Sequence, residues 1–246
     1  MSFSTAGIKD DGERMLPVQN GEVSVVFSRH KFAYKYVSQF VANKSVIDIG
    51  CGAGYGCKIL SETADTVLGI DYNKEAILYC KENFSAPNIT FLNIDASKHF
   101  EPETKFDVAV TFQVIEHIHD INGFLEQIKR IVKPGGKIFI TTPNSDINNG
   151  KESENPFHVN EMDYKRFKTV LQNHFSSFKI SGVAFAKKSI LRSVVEKLPF
   201  YNLGRKLKRN SGLKKIATRA LNMTSYRIIE SNIEKDAADL LAECDN

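Results

Sequence analysis

From Ser45 onward the chain alternates short apolar runs with segments whose apolar residues recur at helical spacing. Residues 46–49, 66–70, 89–94, 106–112 and 137–142 read as strands, and 55–63 and 74–83 as helices between them. Between the fourth and fifth strands, Ile121, Phe124, Leu125, Ile128, Ile131 and Val132 form one apolar helical face. That helix has a stop signal in Lys133-Pro134-Gly135-Gly136, because proline cannot continue a helix and glycine permits the turn. Strand–helix units of this length predict an α/β domain with a mostly parallel sheet covered by helices on both faces. A polar loop, "NSDINNGKESENPFHVNE", follows Pro143 and leads to a helix over about 162–174. So long a loop in a compact domain marks a mobile lid or a substrate-side segment. Residues 175–180 and 183–186 predict a closing hairpin around Ser181-Gly182. Past Lys187 the pattern is helical again, with Ile190, Leu191, Val194, Val195 and Leu198 on one face and Leu213, Ile216, Ala217, Ala220 and Leu221 on another. The chain thus divides into an N-terminal helical segment (1–44), a core (45–186) and a C-terminal helical extension (187–246).

Composition changes this picture mainly through charge. The 246 residues suit one large domain with appendages, and 42% hydrophobic with 25% charged residues is ordinary for a soluble protein. With no run of 18 apolar residues and no N-terminal apolar stretch of the signal type, a cytosolic protein is expected. Cys51, Cys57, Cys80 and Cys244 have neither metal-ligand nor disulfide-framework spacing, so reduced thiols are expected. Residues 187–227 hold twelve Lys and Arg against the single acid Glu196, a local charge of +11, which leaves about −7 elsewhere for a total of +4. A solvated helical face, a surface that meets anionic lipid or a lipid-linked acceptor, and a site for a phosphorylated glycan or nucleotide-sugar all fit that bias. Sparse aromatic interleaving after Tyr201 argues against specific nucleic-acid binding. No oligomeric state is implied.

The densest chemistry lies in "SVIDIGCGAGYG" (45–56), where a strand runs into glycines at 50, 52, 54 and 56. Such a junction lets backbone turn sharply and approach a ligand. The dinucleotide spacing G-x-G-x-x-G is not met, and no Gly-Lys-Ser/Thr follows, so a pure phosphate cradle is disfavoured. About twenty residues on, Asp71 ends "VLGID" where a carboxylate can take both hydroxyls of a ribose. Asp95 in "FLNID" is placed to receive an adenine amine. The combination describes a nucleoside without phosphate, and Asp48 can organise the loop and contact an amino group.

Together, "VIDIGCGAGYG", "GIDYN", "NIDAS", "FDVAVTFQVIEHI" and "VKPGGKIFITTPN" resemble the class I S-adenosylmethionine-dependent methyltransferases over residues 45–143. The resemblance implies a Rossmann-like, seven-stranded sheet of order 3-2-1-4-5-7-6 with the last strand antiparallel. It implies a cofactor site of Asp48, Gly50, Cys51, Gly52, Gly54, Asp71, Tyr72, Asp95 and Ala96, with Gln113 lining the methyl-transfer side. In "VIEHIHD" the chain resembles the ubiquinone-biosynthesis O-methyltransferases. In "GERMLPVQ…RHKFAYKYV" and "NPFHVNEMD" it resembles a branch that accompanies polysaccharide biosynthesis.

The expected activity is methyl transfer to a small molecule, a glycan or a lipid-linked acceptor, at oxygen. The alternatives are an RNA or protein methyltransferase and a non-catalytic nucleotide-binding module. The Asn/Asp-Pro-Pro-aromatic run of amino-methylating DNA enzymes and the Pro-Cys of cytosine-C5 enzymes are both missing. A hydroxyl acceptor benefits from a general base, which points to His117 first and His158 second, while His119 is expected on the surface. An adjacent Glu116-His117 pair is a poor metal signature, and no metal is expected. Residues 27–40, with Arg29, His30 and Tyr34, are expected to pack over the cofactor as a helical lid.

Overall fold

The computed structural model describes residues 25–148, 155–186 and 226–246. Helix α1 (Val25–Val37) leads into β1 (Ser45–Ile49), α2 (Tyr55–Leu60), β2 (Thr66–Asp71), α3 (Lys74–Asn83), β3 (Ile89–Asn93) and β4 (Phe106–Phe112). A 3-10 turn (Ile115–His117), α4 (Ile121–Ile131), β5 (Val132–Pro143), α5 (Tyr164–His174) and β6 (Ser177–Phe185) follow. Strand β7 (Tyr226–Ile229), the short helix α6 (Ile233–Asp236) and β8 (Asp239–Asp245) complete the described chain. Three helices start on side chains that take up otherwise unpaired N–H groups: Asn73 caps α3, Asp120 caps α4 and Asp163 caps α5.

All eight strands form one sheet, ordered β3-β2-β1-β4-β5-β8-β6-β7. Strands β1 to β5 pair in parallel, whereas β8 runs antiparallel to both β5 and β6. Without the outer strand β7 this is the expected Rossmann-like order, with the antiparallel strand seventh in the chain. Side chains alternate between two apolar layers, as the period of two requires. Val46, Val67, Val108, Val110 and Phe139 pack with residues of α1, α2 and α3. Ile47, Ile49, Ala109, Ile138 and Ile140 pack with α4 and α5 on the other face.

Three expectations are corrected. The predicted hairpin at Ser181-Gly182 is continuous strand, and the partners of β6 are β7 and β8 from the end of the chain. Gly182 serves close packing there, since a Cβ would collide with Ala237. For the same reason the core does not end at 186: residues 226–246 supply β7 and β8 to the sheet, with the short helix α6 between them. Pairing with β5 and β6 and burial on both faces decide this, with Leu240, Ala242 and Cys244 entirely enclosed on one face and Leu241 in the core on the other. The predicted stop at 133–136 lies within β5, which begins directly after α4, and the register between β4 and β5 shifts there.

The predicted helices over 190–221 lie outside the described residues, as does "GERMLPVQ". Helix α1 is packed structure, with Ala33, Tyr34 and Val37 in the core beside α2. No helix among the described residues is long and apolar enough to cross a membrane. All four cysteines are buried and free.

If β8 belongs to the core, Leu240→Ala will destabilise the fold by about 2–5 kcal/mol in urea unfolding, the usual cost of emptying a buried leucine site. Leu78→Ala, on the exposed side of α3, will shift stability by less than about 0.5 kcal/mol.

Candidate functional site

The carboxyl ends of β1, β2, β4 and β5 share one edge of the sheet, and the strand order reverses between β1 and β4. Open α/β sheets bind ligands at that crevice. The glycine loop crosses it with Gly50, Gly52 and Gly54 all at positive φ (75°, 51° and 78°). At Gly54 a Cβ would lie 2.7 Å from the Cys80 sulfur, and at Gly50 it would strike Val114. Gly52 instead faces open space. The loop is pinned by Gly50 and Cys51 N–H groups, both donating to the Ile70 carbonyl at 2.9 and 3.0 Å.

Asp71 is buried and holds the loop to β2. One carboxylate oxygen accepts from Gly52 N–H and the other from Asn73 N–H, each at 2.9 Å. Tyr72 beside it is exposed. Asp95 sits two residues past the end of β3, adjoining Asp71 through the Ile94 N–H to Asp71 carbonyl bond. Its carboxylate accepts from Ser97 N–H at 3.0 Å and Ser97 Oγ at 2.6 Å, with Lys98 Nζ at 3.1 Å. The Ser97 hydrogen bonds, aided by Lys98, hold Asp95 below the usual carboxylate range. Ala96 is half-buried next to it. The Cys51 side chain packs into the core beneath the loop, so this residue's approach to a ligand is through its backbone.

Asp48 is fully enclosed. Tyr34 donates its hydroxyl to both carboxylate oxygens (3.1 and 3.2 Å) and Cys57 Sγ donates to one (3.2 Å). Burial pushes its carboxyl up to about 7 despite those donors. Its donors thus come from α1 and α2 rather than from the glycine loop, and the enclosed carboxyl meets no open space. His30, also on α1, lies 2.9 Å from the Tyr55 hydroxyl, and burial pushes its ring down to about 3, so it is neutral. Open space at Gly52, with Asp71 bound to its N–H and no lysine on the loop, fits a nucleoside bearing a charged amino-acid end.

Gln113 follows β4 in a left-handed conformation (φ 56°). Its backbone N–H donates to the Thr141 carbonyl and its amide to Thr141 Oγ1 at 3.2 Å. Nearby, Arg29 Nε lies 2.6 Å from Asp239 Oδ2, which brings a cation to the same edge. Arg29 is thus placed by β8, a contact that no local pattern signals.

The acceptor candidates converge. The 155–160 segment docks on the 3-10 turn, with Val159 and Asn160 N–H groups both donating to the Glu116 carbonyl at 2.9 Å. His117 and His158 meet edge to face with ring centroids 4.9 Å apart. His117 Nδ1 lies 3.0 Å from the Phe157 carbonyl, and His158 Nδ1 lies 2.8 Å from Glu161 Oε1. Glu116 is buried, accepts from Thr142 Oγ1 at 3.2 Å, and is pushed up to about 8 by burial. His119 is exposed, as expected. Glu116, His117 and His158 each offer one ligand atom within 4.8 Å of the others, a cluster that the Glu-His dipeptide alone did not disclose. Sequence reasoning passed over Glu161, Thr142 and Asp239. Of these only Glu161, three residues after His158, has a local signal.

Against this geometry, a family model described as "Methyltransferase domain" matches residues 27–183. The chain belongs to the S-adenosylmethionine-dependent methyltransferases. This methyltransferase is 30% identical over 163 residues to the "Probable S-adenosylmethionine-dependent methyltransferase" of Mycolicibacterium smegmatis, covering 65% of this chain and 62% of that one. It therefore spans about three fifths of the length of that relative. It is 34% identical over 113 residues to the mitochondrial ubiquinone biosynthesis O-methyltransferase of Dictyostelium discoideum, covering 41% of this chain and 35% of that one. The crystal structure of an S-adenosylmethionine-dependent methyltransferase from Mesorhizobium loti shares its fold, with a TM-score of 0.58 at 15% identity, over 91% of this chain and all of that one.

Two predictions follow from the buried and bridging carboxyls. Asp48 and Glu116 have folded values (about 7 and about 8) above their unfolded ones, so their contribution to stability is full below about pH 4 and is lost as pH rises through 7–8. In the ligand-free protein, raising pH from 5 to 8 will lower the melting midpoint, and Asp48→Asn or Glu116→Gln will flatten that slope. Asp71→Ala will weaken S-adenosylmethionine binding roughly 10–100-fold by calorimetric titration, the scale of a lost charged hydrogen-bond acceptor. Unchanged affinity would remove Asp71 from the cofactor site.

Proposed function

We propose that this methyltransferase methylates a hydroxyl group of a small molecule or glycan. The observation that carries the reading is the His117–His158 pair beside Gln113, at the edge where the cofactor loop ends. S-adenosylmethionine supplies an already activated methyl, whose sulfur keeps the carbon–sulfur electron pair on transfer. What remains for the chain is to hold the cofactor through Asp71, Asp95 and the glycine loop, align a hydroxyl, and take its proton. A histidine ring nitrogen can take that proton. The likeness to ubiquinone-biosynthesis O-methyltransferases supports oxygen as the methylated atom.

A lipid-linked or anionic acceptor is favoured within this class. Strands β6 and β7 pair Phe185 with Tyr226, and in the sequence the basic stretch 187–225 lies between them. Val183 in β6 and Pro143 in β5 both oppose Asp239, so the ends of β5 and β6 lie at the same edge as the histidines, which supports this reading. Phe157 and Val159 stay exposed beside His158 and offer an apolar contact to the acceptor body. The protein acts at a membrane surface by contact with anionic lipid, in this reading.

S-adenosylhomocysteine release against catechols, sugars, lipid-linked glycans and RNA tests the assignment. Release with a hydroxyl acceptor supports it; release with RNA alone, or cofactor binding without release on any acceptor, overturns it. In this reading no metal takes part, so turnover will be unaffected by EDTA; loss of turnover would assign the Glu116, His117 and His158 cluster to a cation.

A further inference from the structure

The first half of α1 is pressed against the end of the glycine loop. Phe27 meets the Tyr55 ring edge to face with centroids 4.7 Å apart, and His30 Nδ1 lies 2.9 Å from the Tyr55 hydroxyl. Gly56 leaves room for the Tyr34 ring, which a Cβ at that position would strike. Arg29 stands between Phe27 and His30 in the chain, and its side chain is only 14% exposed. Its Nε lies 2.6 Å from Asp239 Oδ2, at the start of β8. Burial raises the Asp239 carboxyl, while Arg29 and the amide of neighbouring Gln113 oppose that rise. Arg29 thus spans from the loop side of the crevice to the side where Gln113 follows β4.

This cation has donors to spare. A guanidinium carries five N–H groups in a planar fork that matches the two oxygens of a carboxylate. Asp239 meets it at Nε, and among the described residues nothing else pairs with it. The glycine loop is in the opposite position. Its Gly50 and Cys51 N–H groups go to the Ile70 carbonyl, Gly52 N–H to Asp71, and Gly54 N–H to the Cys51 carbonyl. Residues 50–56 include no lysine or arginine, and Asp71, bound to Gly52, repels a second carboxylate. S-adenosylmethionine ends in an amino acid, whose carboxylate needs a cation that the loop does not supply.

We propose that Arg29 receives this carboxylate through the Nη side of its guanidinium, while Asp239 holds the Nε side and so aims the fork. Arg29 is then a binding residue and Asp239 a positioning residue, contributed by opposite ends of the described chain. The inference concerns the methyl donor and stands whichever atom is methylated.

Calorimetric titration of the full chain with S-adenosylmethionine and with decarboxylated S-adenosylmethionine, which lacks only the carboxylate, tests this. The wild type will bind the first about 10–100-fold more tightly, the scale of a charge-assisted pair. Equal affinity for the two ligands overturns the proposal without any variant. Removing Arg29 alone would leave Asp239 buried without its cation, so both charges are removed together in Arg29→Gln with Asp239→Asn. In that pair S-adenosylmethionine will fall to the affinity of the decarboxylated ligand, which will stay near its wild-type value. Loss of both affinities by one factor, or of neither, overturns the assignment. Arg29→Lys keeps the charge but not the fork and will lose part of the preference. Should the paired variant fail to fold, an unchanged preference in Arg29→Lys overturns the proposal in its place. Asp239→Ala will lower the preference several-fold, and Asp239→Asn, which keeps an accepting oxygen, will retain most of it. An equal loss for both ligands in Asp239→Ala removes the positioning role.

Discussion

Parallel pairing of β4 beside β1, from Val46↔Val108 to Asp48↔Val110, determines where every candidate group ends up. Two neighbouring parallel strands deliver their carboxyl ends to one edge, and the helices that follow them leave toward opposite faces. The crevice between them receives the glycine loop from one side and Gln113 with the 3-10 turn from the other. Its geometry is backbone geometry, enforced by ladder hydrogen bonds that are costly to leave unmade in a buried sheet.

Buried carboxyls concentrate around that crevice. Asp48, Asp71, Glu116 and Asp239 are all nearly inaccessible, and each has a named donor or cation: Tyr34 and Cys57, Gly52 and Asn73, Thr142, and Arg29. Enclosed acids are expensive unless paired. Asp71 holds the glycine loop, Asp48 lies beneath it at the end of β1, and Glu116 and Asp239 lie across the crevice on the 3-10 turn and β8. The same burial that raises Asp48 and Glu116 couples the ligand-free fold to pH.

The acceptor half is assembled differently. The 3-10 turn after β4 and the 155–161 segment are some forty residues apart in sequence, and main-chain bonds to the Glu116 carbonyl join them. His117 and His158 were each readable as a base from its residue type. Their contact was not, because a contact across that separation leaves no local period or spacing. The spacing of His158 and Glu161 was available in the sequence, but three residues apart in a polar loop carries no preferred meaning until the turn is formed.

Local patterns by themselves determined the parallel half of the sheet, the alternation of helices around it, and the loop–Asp71–Asp95 set, since strand ends and glycine turns are set by neighbours in the chain. The tertiary structure alone decided how the sheet closes. Residues 239–245 form a buried strand between β5 and β6, although the charge pattern upstream suggested a solvated helical extension. A short apolar run does not state its partner. Pairing on both sides and burial on both faces made this one a strand, and with it brought Asp239 and Arg29 to the site.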